Sequence, residues 1–593
     1  MKDAPMQGMK TAPMRQQKLR QRLAPFHLVL VSLFQATLIV LMVHQPWRVW
    51  NNQIIGMPGD SSIYLWFLSW WGHSLAHGSN LAVTHLVTYP WGNNILWDTS
   101  MPLVFIPLSL LYHGRVLTLS LSYNVAVFSG WWFSAIAAYY SYFSITGRRV
   151  GSAIGATLTM TSAYFTNQAL GHTDLMWVGF SFLLFSTVFR YAKDSRSLSW
   201  LLWRMVPLLI CQWLTNEEYF VTTQVMIGLA LYLPLHDALW GRRQWRTVGR
   251  MLAGYAMGLV VSTLVLSPVL AWQIFSPDQP LYPFAYFNVY QLNLVNLVVP
   301  VHTWLHLWPP HLTGNVMEQD GYFGLVFLIG FAVFFVLTRG VREQWHRRLI
   351  YWTAMLLLLS MGDFLLLNAK VNTHIPLPGV VFSILPVFRS IIFDRFMWGV
   401  FWGCGLLVSI YFHQLRTTPL KLALAVWSIL VVISWWPQAY PTTSLSPNRW
   451  ITQRVSDGTI HTHEVLLVFP YDVLYNPNNN VLGTQIANHF RYRLAEGYLS
   501  PNDALLDHFR PLISYWTVIQ LYGFHSQPAR IYGSLLKDPG LTFHHFLTAT
   551  RPGLVVLTPM PHEGEMKQWL VKHLGTPSGQ AHNIYYWHLT PPQ

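Results

Sequence analysis

Charged residues are scarce in this chain of 593 residues. Asp, Glu, Lys and Arg make up 10% of it, against about a quarter of an ordinary soluble protein. Hydrophobic residues make up 52% and fall in long blocks, for example residues 26–43, 251–270 and 351–367. Each block approaches the roughly 20 residues that cross a bilayer as a helix. Because several such blocks cannot all be buried in one soluble core, the composition predicts a multi-pass membrane protein.

Cysteine is almost absent too. Cys211 and Cys404 both lie within apolar blocks, which excludes a disulfide framework and a thiolate metal site. The histidines lack the spacing of metal ligands. His73 and His77 are four residues apart, but no third ligand is close to them in sequence. The sequence therefore predicts no metal site and no certain cofactor. A divalent metal is compatible with it but not indicated.

Acidic residues are fewer than basic residues, 23 against 37, which gives a net charge of +14. The basic residues cluster in short connections between apolar blocks, at residues 148–149, 190–196, 242–250, 339–348 and 416–421. This distribution follows the positive-inside rule and places these connections in the cytoplasm. It orients helices and implies no nucleic-acid partner. The basic residues 1–25 are predicted to be a cytoplasmic tail ahead of an uncleaved first helix.

The alternation of apolar blocks and basic connections predicts about 11 to 13 transmembrane helices within residues 26–437. Two divisions of residues 102–146 remain open, because residues 102–112 are short for a span and residues 118–146 are long. Residues 44–101 contain one cation and many aromatic residues. They are predicted to form the first external loop, with short helices in the membrane interface.

A change of composition follows the last apolar block. Residues 438–450 are predicted to be a linker, because prolines alternate there with Ser and Thr. Residues 451–593 are predicted to form an extracytoplasmic α/β domain. Its signals are an amphipathic helix at residues 563–574 and strands at residues 464–470, 553–558 and 583–589. The predicted fold is thus an α-helical polytopic membrane protein with a C-terminal α/β domain.

A lone carboxylate follows the first span in the segment Pro58-Gly59-Asp60-Ser61-Ser62. An acid at a membrane surface can act as a general base, because partial desolvation raises its pKa toward the working pH. The same segment is also a good signal for a helix N-cap. The alternative is therefore that Asp60 caps a short helix, and the two roles are compatible.

Several short patches together resemble the GT-C glycosyltransferase superfamily, to which oligosaccharyltransferases, protein O-mannosyltransferases and aminoarabinose transferases belong. The resemblance begins with the Gly-Asp after the first span, the aromatic stretch that follows, and Tyr89-Pro90-Trp91-Gly92-Asn93-Asn94. It continues in Gly171-His172, in residues 318–324, in Leu385-Pro386-x-Phe388-Arg389 and in Asp394-Arg395-Phe396.

The resemblance implies an inverting glycosyltransferase of the cell (inner) membrane. Such an enzyme transfers a sugar from a polyprenyl-phosphate donor to a lipid, glycan or protein on the extracytoplasmic side, so the implied partners are membrane lipids and the lipid-linked sugar. Asp60 matches the acid that activates the acceptor in this family. Many members carry a second acid beside the first, whereas Ser61 and Ser62 follow here. A metal requirement is therefore not implied.

Arg389 and Arg395 are predicted to contact the departing phosphate, because cations near the outer end of a span oppose the positive-inside bias. The alternative for both is an ion pair with Asp394 or contact with lipid phosphates. Further candidates for substrate binding lie between spans, and each could instead be an ordinary solvated or capping residue. They are His172, Asp174, Glu217, Glu218, Glu318 and Asp320.

Two other functions remain open on the sequence. One is a transporter or flippase of a lipid-linked sugar, and the other is a non-catalytic scaffold with a GT-C frame. A transporter would place charges near the midpoints of its spans. The charges here lie mainly at span ends, with Asp363 as the exception. The sequence does not separate the enzyme from the scaffold.

Overall fold

The computed structural model describes residues 24–194, 196–239, 245–275, 290–305, 313–341, 344–385, 391–471, 481–497 and 503–589. Helices dominate these ranges. Up to residue 437 they are α1 (Ala24–Val43), α2 (Trp47–Asn52), α3 (Asp60–His77), α4 (Pro102–His113), α5 (Leu119–Thr146), α6 (Arg149–Met160), α7 (Ala163–Gln168), α8 (Gly179–Lys193), α9 (Leu198–Trp213), α10 (Glu217–Leu239), α11 (Trp245–Phe275), α12 (Gly324–Leu337), α13 (Gln344–Ser360), α14 (Gly379–Ile384), α15 (Met397–Gln414) and α16 (Thr418–Ser434).

Five described helical segments are long and apolar enough to cross a membrane: Phe26–Val43, Asp174–Ala192, Glu217–Leu235, Val248–Phe275 and Phe393–Gln414. Three shorter apolar helices, α4, α12 and α16, accompany them. The prediction of a polytopic helical membrane protein is confirmed. The total of 11 to 13 spans and the orientation of the termini stay predictions.

The first two apolar blocks singled out in the sequence lie in α1 and α11, as predicted. The block at residues 351–367 was wrongly read as one span. Helix α13 ends at Ser360, and Phe364–Leu367 forms strand β4, which pairs with β5 (Lys370–Pro376) in an antiparallel hairpin. Gly362 has a φ of 77°, a left-handed conformation that glycine adopts without steric cost and that ends the helix.

Helix α3 carries the aromatic stretch of the first external loop, and its tryptophan rings are packed against protein. Trp66, Trp70 and Trp71 are all buried. The Trp66 indole Nε1 donates to Gln485 Oε1 at 2.7 Å, and Trp71 Nε1 donates to the Ser100 carbonyl at 2.9 Å. The position of this helix at the membrane interface stays a prediction. Protein acceptors satisfy these polar indole groups, so the rings can be fully enclosed.

The C-terminal domain is built on a five-stranded sheet in the order β10-β11-β9-β7-β8. Strands β7, β9 and β11 confirm the three predicted strands, and β7 runs parallel to β8 and β9. The strands are β7 (Val465–Phe469), β8 (Arg493–Leu494), β9 (Leu554–Leu557), β10 (Gly579–Ala581) and β11 (Ile584–His588). The helices are α17 (Arg449–Ser456), α18 (Val481–Ala487), α19 (Asp503–Tyr522), α20 (Gln527–Leu535), α21 (Pro539–Thr550) and α22 (Glu563–Leu574).

Every residue of β7 and β9 is buried, because both faces of the sheet are covered. On one face, Leu467 and Val555 pack with Trp516 of α19 in a second core, whose fully buried residues all come from the domain. On the other face, Leu466 and Val468 join the same hydrophobic cluster as the membrane helices. The sheet is thus packed directly on the rest of the chain.

One strand pairing and one pair of backbone hydrogen bonds connect the first external loop to the C-terminal part of the chain. Strand β1 (Gln53–Ile55) pairs with β6 (Thr442–Ser444), which lies within the predicted linker. Further along, the Leu494 amide donates to the Leu86 carbonyl, and the Tyr89 amide donates to the Leu494 carbonyl, both at 2.9 Å. The short strands β2 (Val83–Thr84) and β3 (Asn93–Asn94) flank this second contact. The segment that carries Asp60 is therefore held at several points.

Replacing Gln485 by Ala should loosen this junction. The Gln485 side chain accepts from Trp66 Nε1 and donates to the carbonyls of Leu86 and Tyr492 at 2.8 and 3.0 Å. Each buried group left without a partner costs about 1–3 kcal/mol. We expect a clear fall in the melting temperature of the detergent-solubilised protein. Gln580→Ala, on the exposed side of β10, is the matched control. Equal melting temperatures for the two variants would contradict this description of the junction.

Candidate active site

The N-terminal ends of several helices meet in one region. Asp174, Glu217 and Phe393 are the first residues of three of the candidate spans, and Asp60 is the first residue of α3. Helix N-termini carry a partial positive charge and favour nearby anions. Several carboxylates therefore lie at helix N-termini, where the partial positive charge of the backbone stabilises them.

Asp60 is set at the start of α3 by a glycine. Gly59 has φ 116° and ψ −117°, a backbone conformation open only to glycine, and it occupies the N-cap position. No side chain caps this helix, so the cap alternative for Asp60 is not what the structure has. The Asp60 side chain is 24% exposed, and its Oδ2 lies 2.7 Å from His172 Nε2.

His172 lies behind Asp60 and is buried, with 4% of its side chain exposed. Its Nδ1 lies 2.5 Å from Gln168 Oε1 and 3.6 Å from Glu318 Oε1. Because both ring nitrogens face oxygen acceptors, the ring is satisfied as an imidazolium, which donates from both. Burial lowers the pKa of His172, but the carboxylates of Glu318 and Asp60 raise it more, and the net shift is upward.

Arg395 lies between two carboxylates. Its Nη2 donates to Glu318 Oε1 at 2.6 Å, its Nε faces both Glu318 oxygens at 3.3 Å, and its Nη1 pairs with Glu218. Burial raises the pKa of Glu318, but Arg395 and then His172 lower it more, so the net shift is downward. Of the five N–H groups of a guanidinium, these contacts leave one on each Nη atom. Asp394, the ion-pair partner considered from the sequence, is not the partner.

A pair of acids closes the buried side of the cluster. Gln168 Nε2 donates to Asp320 Oδ2 at 2.6 Å, and the Asp320 amide donates to Asp394 Oδ2 at 2.8 Å. Burial, then the carboxyls of Asp394 and Glu318, raise the pKa of Asp320 well above its ordinary value. Oδ1 of Asp320 and of Asp394 is buried without a hydrogen-bond partner among the described residues. A proton on this pair removes one negative charge from the cluster.

Asp174 has a supporting place in the cluster. It is buried and accepts hydrogen bonds from the Tyr64 hydroxyl and from the Asn216 amide. Tyr64 lies one helical turn after Asp60 on α3, and Asn216 immediately precedes α10. Asp174 thereby ties the start of α3 to the start of α10.

The structure brings most of the predicted site residues together, in a single network. The network contains Asp60, His172, Glu218, Glu318, Asp320 and Arg395. Asp174 lies beside it and is bonded to Tyr64 and Asn216. Glu217 makes no hydrogen bond or ion pair with the network in the described part of the chain, although its carboxyl lies within electrostatic range of Asp174. Arg389 lies outside the described residues.

Sequence reasoning missed Gln168, Tyr64 and Asn216. Gln168 lies four residues before His172, a spacing that places two side chains on one side of a helical turn, and this signal was available. For Tyr64 and Asn216, only the fold shows that they share Asp174 as an acceptor.

Asp60 and Arg395 lie close enough to act on one substrate. Asp60 lies 2.7 Å from the His172 ring, and that ring lies 3.6 Å from the Glu318 carboxylate. The Glu318 carboxylate in turn lies 2.6 Å from Arg395. Asp60, Glu218 and Arg395 are 24, 22 and 13% exposed, whereas Glu318 is 2% exposed. By exposure, the Asp60 and Glu218 carboxylates are the most accessible to a ligand that approaches from solvent, and the Arg395 guanidinium follows.

No group of three His, Cys, Asp or Glu residues within the described ranges is arranged to hold a metal ion. The rings of His73 and His77 are 4.2 Å apart at the other end of α3, and they are not part of the acidic cluster.

A family model described as a domain of unknown function, DUF6311, matches residues 31–437, which is more than half of the chain. This chain is a member of the DUF6311 family. The matched region includes every member of the acidic cluster. No curated protein sequence matches the DUF6311 chain.

Several solved structures are similar to this DUF6311 protein. The oligosaccharyltransferase AglB from Archaeoglobus fulgidus, with an inhibitory peptide and a dolichol-phosphate, is 11% identical with a TM-score of 0.47, over 90% of this chain and 70% of AglB. ArnT from Cupriavidus metallidurans is 10% identical with a TM-score of 0.44, over 93% of this chain and 97% of ArnT. The mycobacterial arabinofuranosyltransferase AftD is 11% identical with a TM-score of 0.47, over 95% of this chain but only 40% of AftD.

The TM-scores of these three structures are below 0.5 and their identities are 10 to 11%, so the resemblance to the GT-C superfamily stays a prediction. At these identities the reactions, donors and ligands remain properties of those proteins.

The charge on His172 should make part of the stability depend on pH. A histidine whose pKa is raised by folding stabilises the folded state. This stabilisation is complete below the pKa of the unfolded state, about 6.5. It is lost as the pH rises through the pKa of the folded state. We expect His172→Gln to lower the melting temperature most near pH 6 and progressively less toward pH 9. Thermal unfolding in detergent measures this. His545→Gln, at an exposed position, is the control. A loss of melting temperature that is the same at every pH would show that His172 is neutral.

Arg395→Met should destabilise the protein strongly, because it leaves Glu318 and Glu218 without their cation. Breaking a buried ion pair from one side costs about 3–5 kcal/mol. Arg454→Met is the control, since Arg454 is 36% exposed and pairs with Asp457 at 3.7 Å; pairs of that kind contribute at most about 1 kcal/mol. Denaturation in detergent compares the two variants. Similar losses would mean that the Arg395 pairs are no more important than a surface pair.

Proposed function

We propose that this DUF6311 protein is an inverting membrane glycosyltransferase. It would transfer a sugar from a polyprenyl-phosphate donor to a hydroxyl of a lipid, glycan or protein on the extracytoplasmic side of the membrane. The observation that carries the proposal is the contact network that connects the partly exposed carboxylate of Asp60 to the partly exposed guanidinium of Arg395 through His172 and Glu318. A base and a cation connected in this way suit the two ends of a displacement reaction.

In the proposed reaction the acceptor oxygen attacks the anomeric carbon and forms the new C–O bond. The bond between that carbon and the phosphate oxygen breaks, and polyprenyl phosphate departs with the electron pair. The acceptor proton passes to Asp60. A single displacement of this kind inverts the anomeric configuration. Asp60 suits the base because it is the most exposed acid of the network, and the His172 imidazolium at 2.7 Å favours its ionised form.

Arg395 supports the departure of the phosphate. Two of its N–H groups are not taken by Glu218 or Glu318, and both lie on the Nη atoms. The starts of α10 and α15 add partial positive charge on the same side. A fixed donor that faces a group where negative charge develops can contribute about 2.7–4 kcal/mol to the transition state. The two carboxylates hold the guanidinium in place before the substrate arrives.

Membrane helices fit a lipid-linked donor. Three candidate spans begin beside the network, and this supports a site near the ends of the spans and not at their centres. A transporter site would be expected deeper in the spans. A donor whose polyprenyl chain remains among the lipids can present its phosphate at that level.

Asp60→Asn should abolish sugar transfer while leaving the fold intact. The amide has the shape of the carboxylate but cannot take a proton, and the loss of a general base costs about 10²–10⁴ in kcat. The protein in nanodiscs is incubated with polyprenyl-phosphate esters of several radiolabelled sugars and with membrane extract as the acceptor source. Released polyprenyl phosphate and labelled product are measured. Asp194→Asn, which changes an acid on an exposed connection, should retain the wild-type rate.

Transfer by Asp60→Asn at the wild-type rate would remove Asp60 as the base. If the wild-type protein consumes none of the donors, the scaffold alternative replaces the enzyme.

A further inference from the structure

A cavity of about 800 Å³ lies at the opposite end of α3 from Asp60. Its walls are the last turns of α3 and α4, the loop that follows α3, and turns of the C-terminal domain. With a rise of 1.5 Å per residue, His73 is roughly 20 Å along the helix from Asp60. The cavity is therefore separate from the acidic cluster.

The lining of this cavity is basic. It includes six histidines and two arginines, and no Asp or Glu is among the described residues that line it. Neither Arg491 nor Arg493 forms an ion pair with any residue that the structure describes, in contrast to Arg395. The Arg493 guanidinium lies 4.8 Å from the centre of the Tyr89 ring, which fixes its direction without neutralising it. Two guanidinium groups that share a cavity without an acid favour a ligand with oxyanions.

The histidines add groups that recognise hydroxyls. Nδ1 of His77, His85 and His113 lies 2.8, 3.2 and 3.0 Å from the backbone carbonyls of His73, Pro90 and Ser109. Nδ1 therefore carries the hydrogen, and Nε2 is left for a ligand. Nε2 accepts from a hydroxyl when the ring is neutral and donates to an anion when it is charged.

Burial, with the neighbouring His77, His113 and His489, lowers the pKa of His73 to about 4, so this ring stays neutral. His463 and His489, from the C-terminal domain, complete the titratable lining.

The walls are held in place by backbone hydrogen bonds. The Leu86 and Tyr89 backbone groups bond to Leu494 at 2.9 Å, next to Arg493. Asn80 Oδ1 accepts from the amide of Ala82 at 2.8 Å and orders the loop after α3. A preformed cavity of this volume has the size of a typical ligand pocket. It has room for a ligand much larger than a single inorganic anion.

We infer that this cavity binds an acidic saccharide, with its carboxylate or phosphate groups on Arg491 and Arg493 and its hydroxyls on the imidazole Nε2 atoms. The binding involves no reaction and does not depend on Asp60. A site of this kind would hold a charged glycan against the external loop and the C-terminal domain together, since both contribute to its walls.

The test uses the full chain in an uncharged detergent, with trigalacturonate as the acidic probe and galactotriose as its neutral counterpart. Calorimetry should show binding of trigalacturonate and no comparable binding of galactotriose. The double variant Arg491→Gln/Arg493→Gln should weaken trigalacturonate binding at least about tenfold, because hydrogen bonds to charged groups are lost.

Arg530→Gln, at an exposed arginine of the same domain outside the cavity, should bind like the wild type. Asp60→Asn should also bind like the wild type, so loss of transfer activity and loss of this site are distinguishable. Equal affinity for the two saccharides, or a double variant with wild-type affinity, overturns the inference. Inorganic phosphate that displaces trigalacturonate with equal potency assigns the cavity to a free oxyanion and overturns the saccharide.

Discussion

The ion pair between Arg395 and Glu318 is the interaction on which the rest of the site depends. Both side chains are largely removed from solvent, where an unpaired charge is costly. Arg395 precedes α15 and Glu318 precedes α12, so the pair fixes two membrane helices relative to each other. Glu318 in turn faces His172, and the charge on His172 holds Asp60. The exposed carboxylate is thus positioned by a chain of charges that begins at Arg395.

The C-terminal domain contributes to the same positioning. Strand β6 pairs with β1 just before Asp60, and β8 bonds to the loop segment just after α3. One face of the C-terminal sheet shares its hydrophobic core with the membrane helices. The first external loop is thus bonded to the C-terminal part of the chain on both sides of the buried aromatic helix that begins at Asp60. The C-terminal domain is therefore part of the structure that positions the candidate active site. It also forms one wall of the basic cavity, which is a second site.

The sequence predicted the features that depend on local pattern. Apolar blocks predicted α1 and α11, apolar strand-length runs predicted β7 and β9, and a Gly-Asp after the first span indicated Asp60. It could not predict contacts between distant segments. The acid next to Arg395 in sequence is Asp394, whereas the fold pairs Arg395 with Glu318 and Glu218. The hydropathy pattern likewise predicted that the span continues past Ser360, because the apolar strand β4 resembles the end of a helix in composition.

The central claim is that Asp60 and Arg395 lie on either side of one glycosyl phosphate. A cryo-EM structure of the DUF6311 protein in nanodiscs with a non-hydrolysable polyprenyl-phosphate sugar tests it most directly. The account predicts phosphate density within about 3 Å of the Arg395 Nη atoms, with the anomeric carbon between that phosphate and an open Asp60 carboxylate. Phosphate bound away from Arg395, or an Asp60 sealed from the cavity that holds the sugar, would contradict the account.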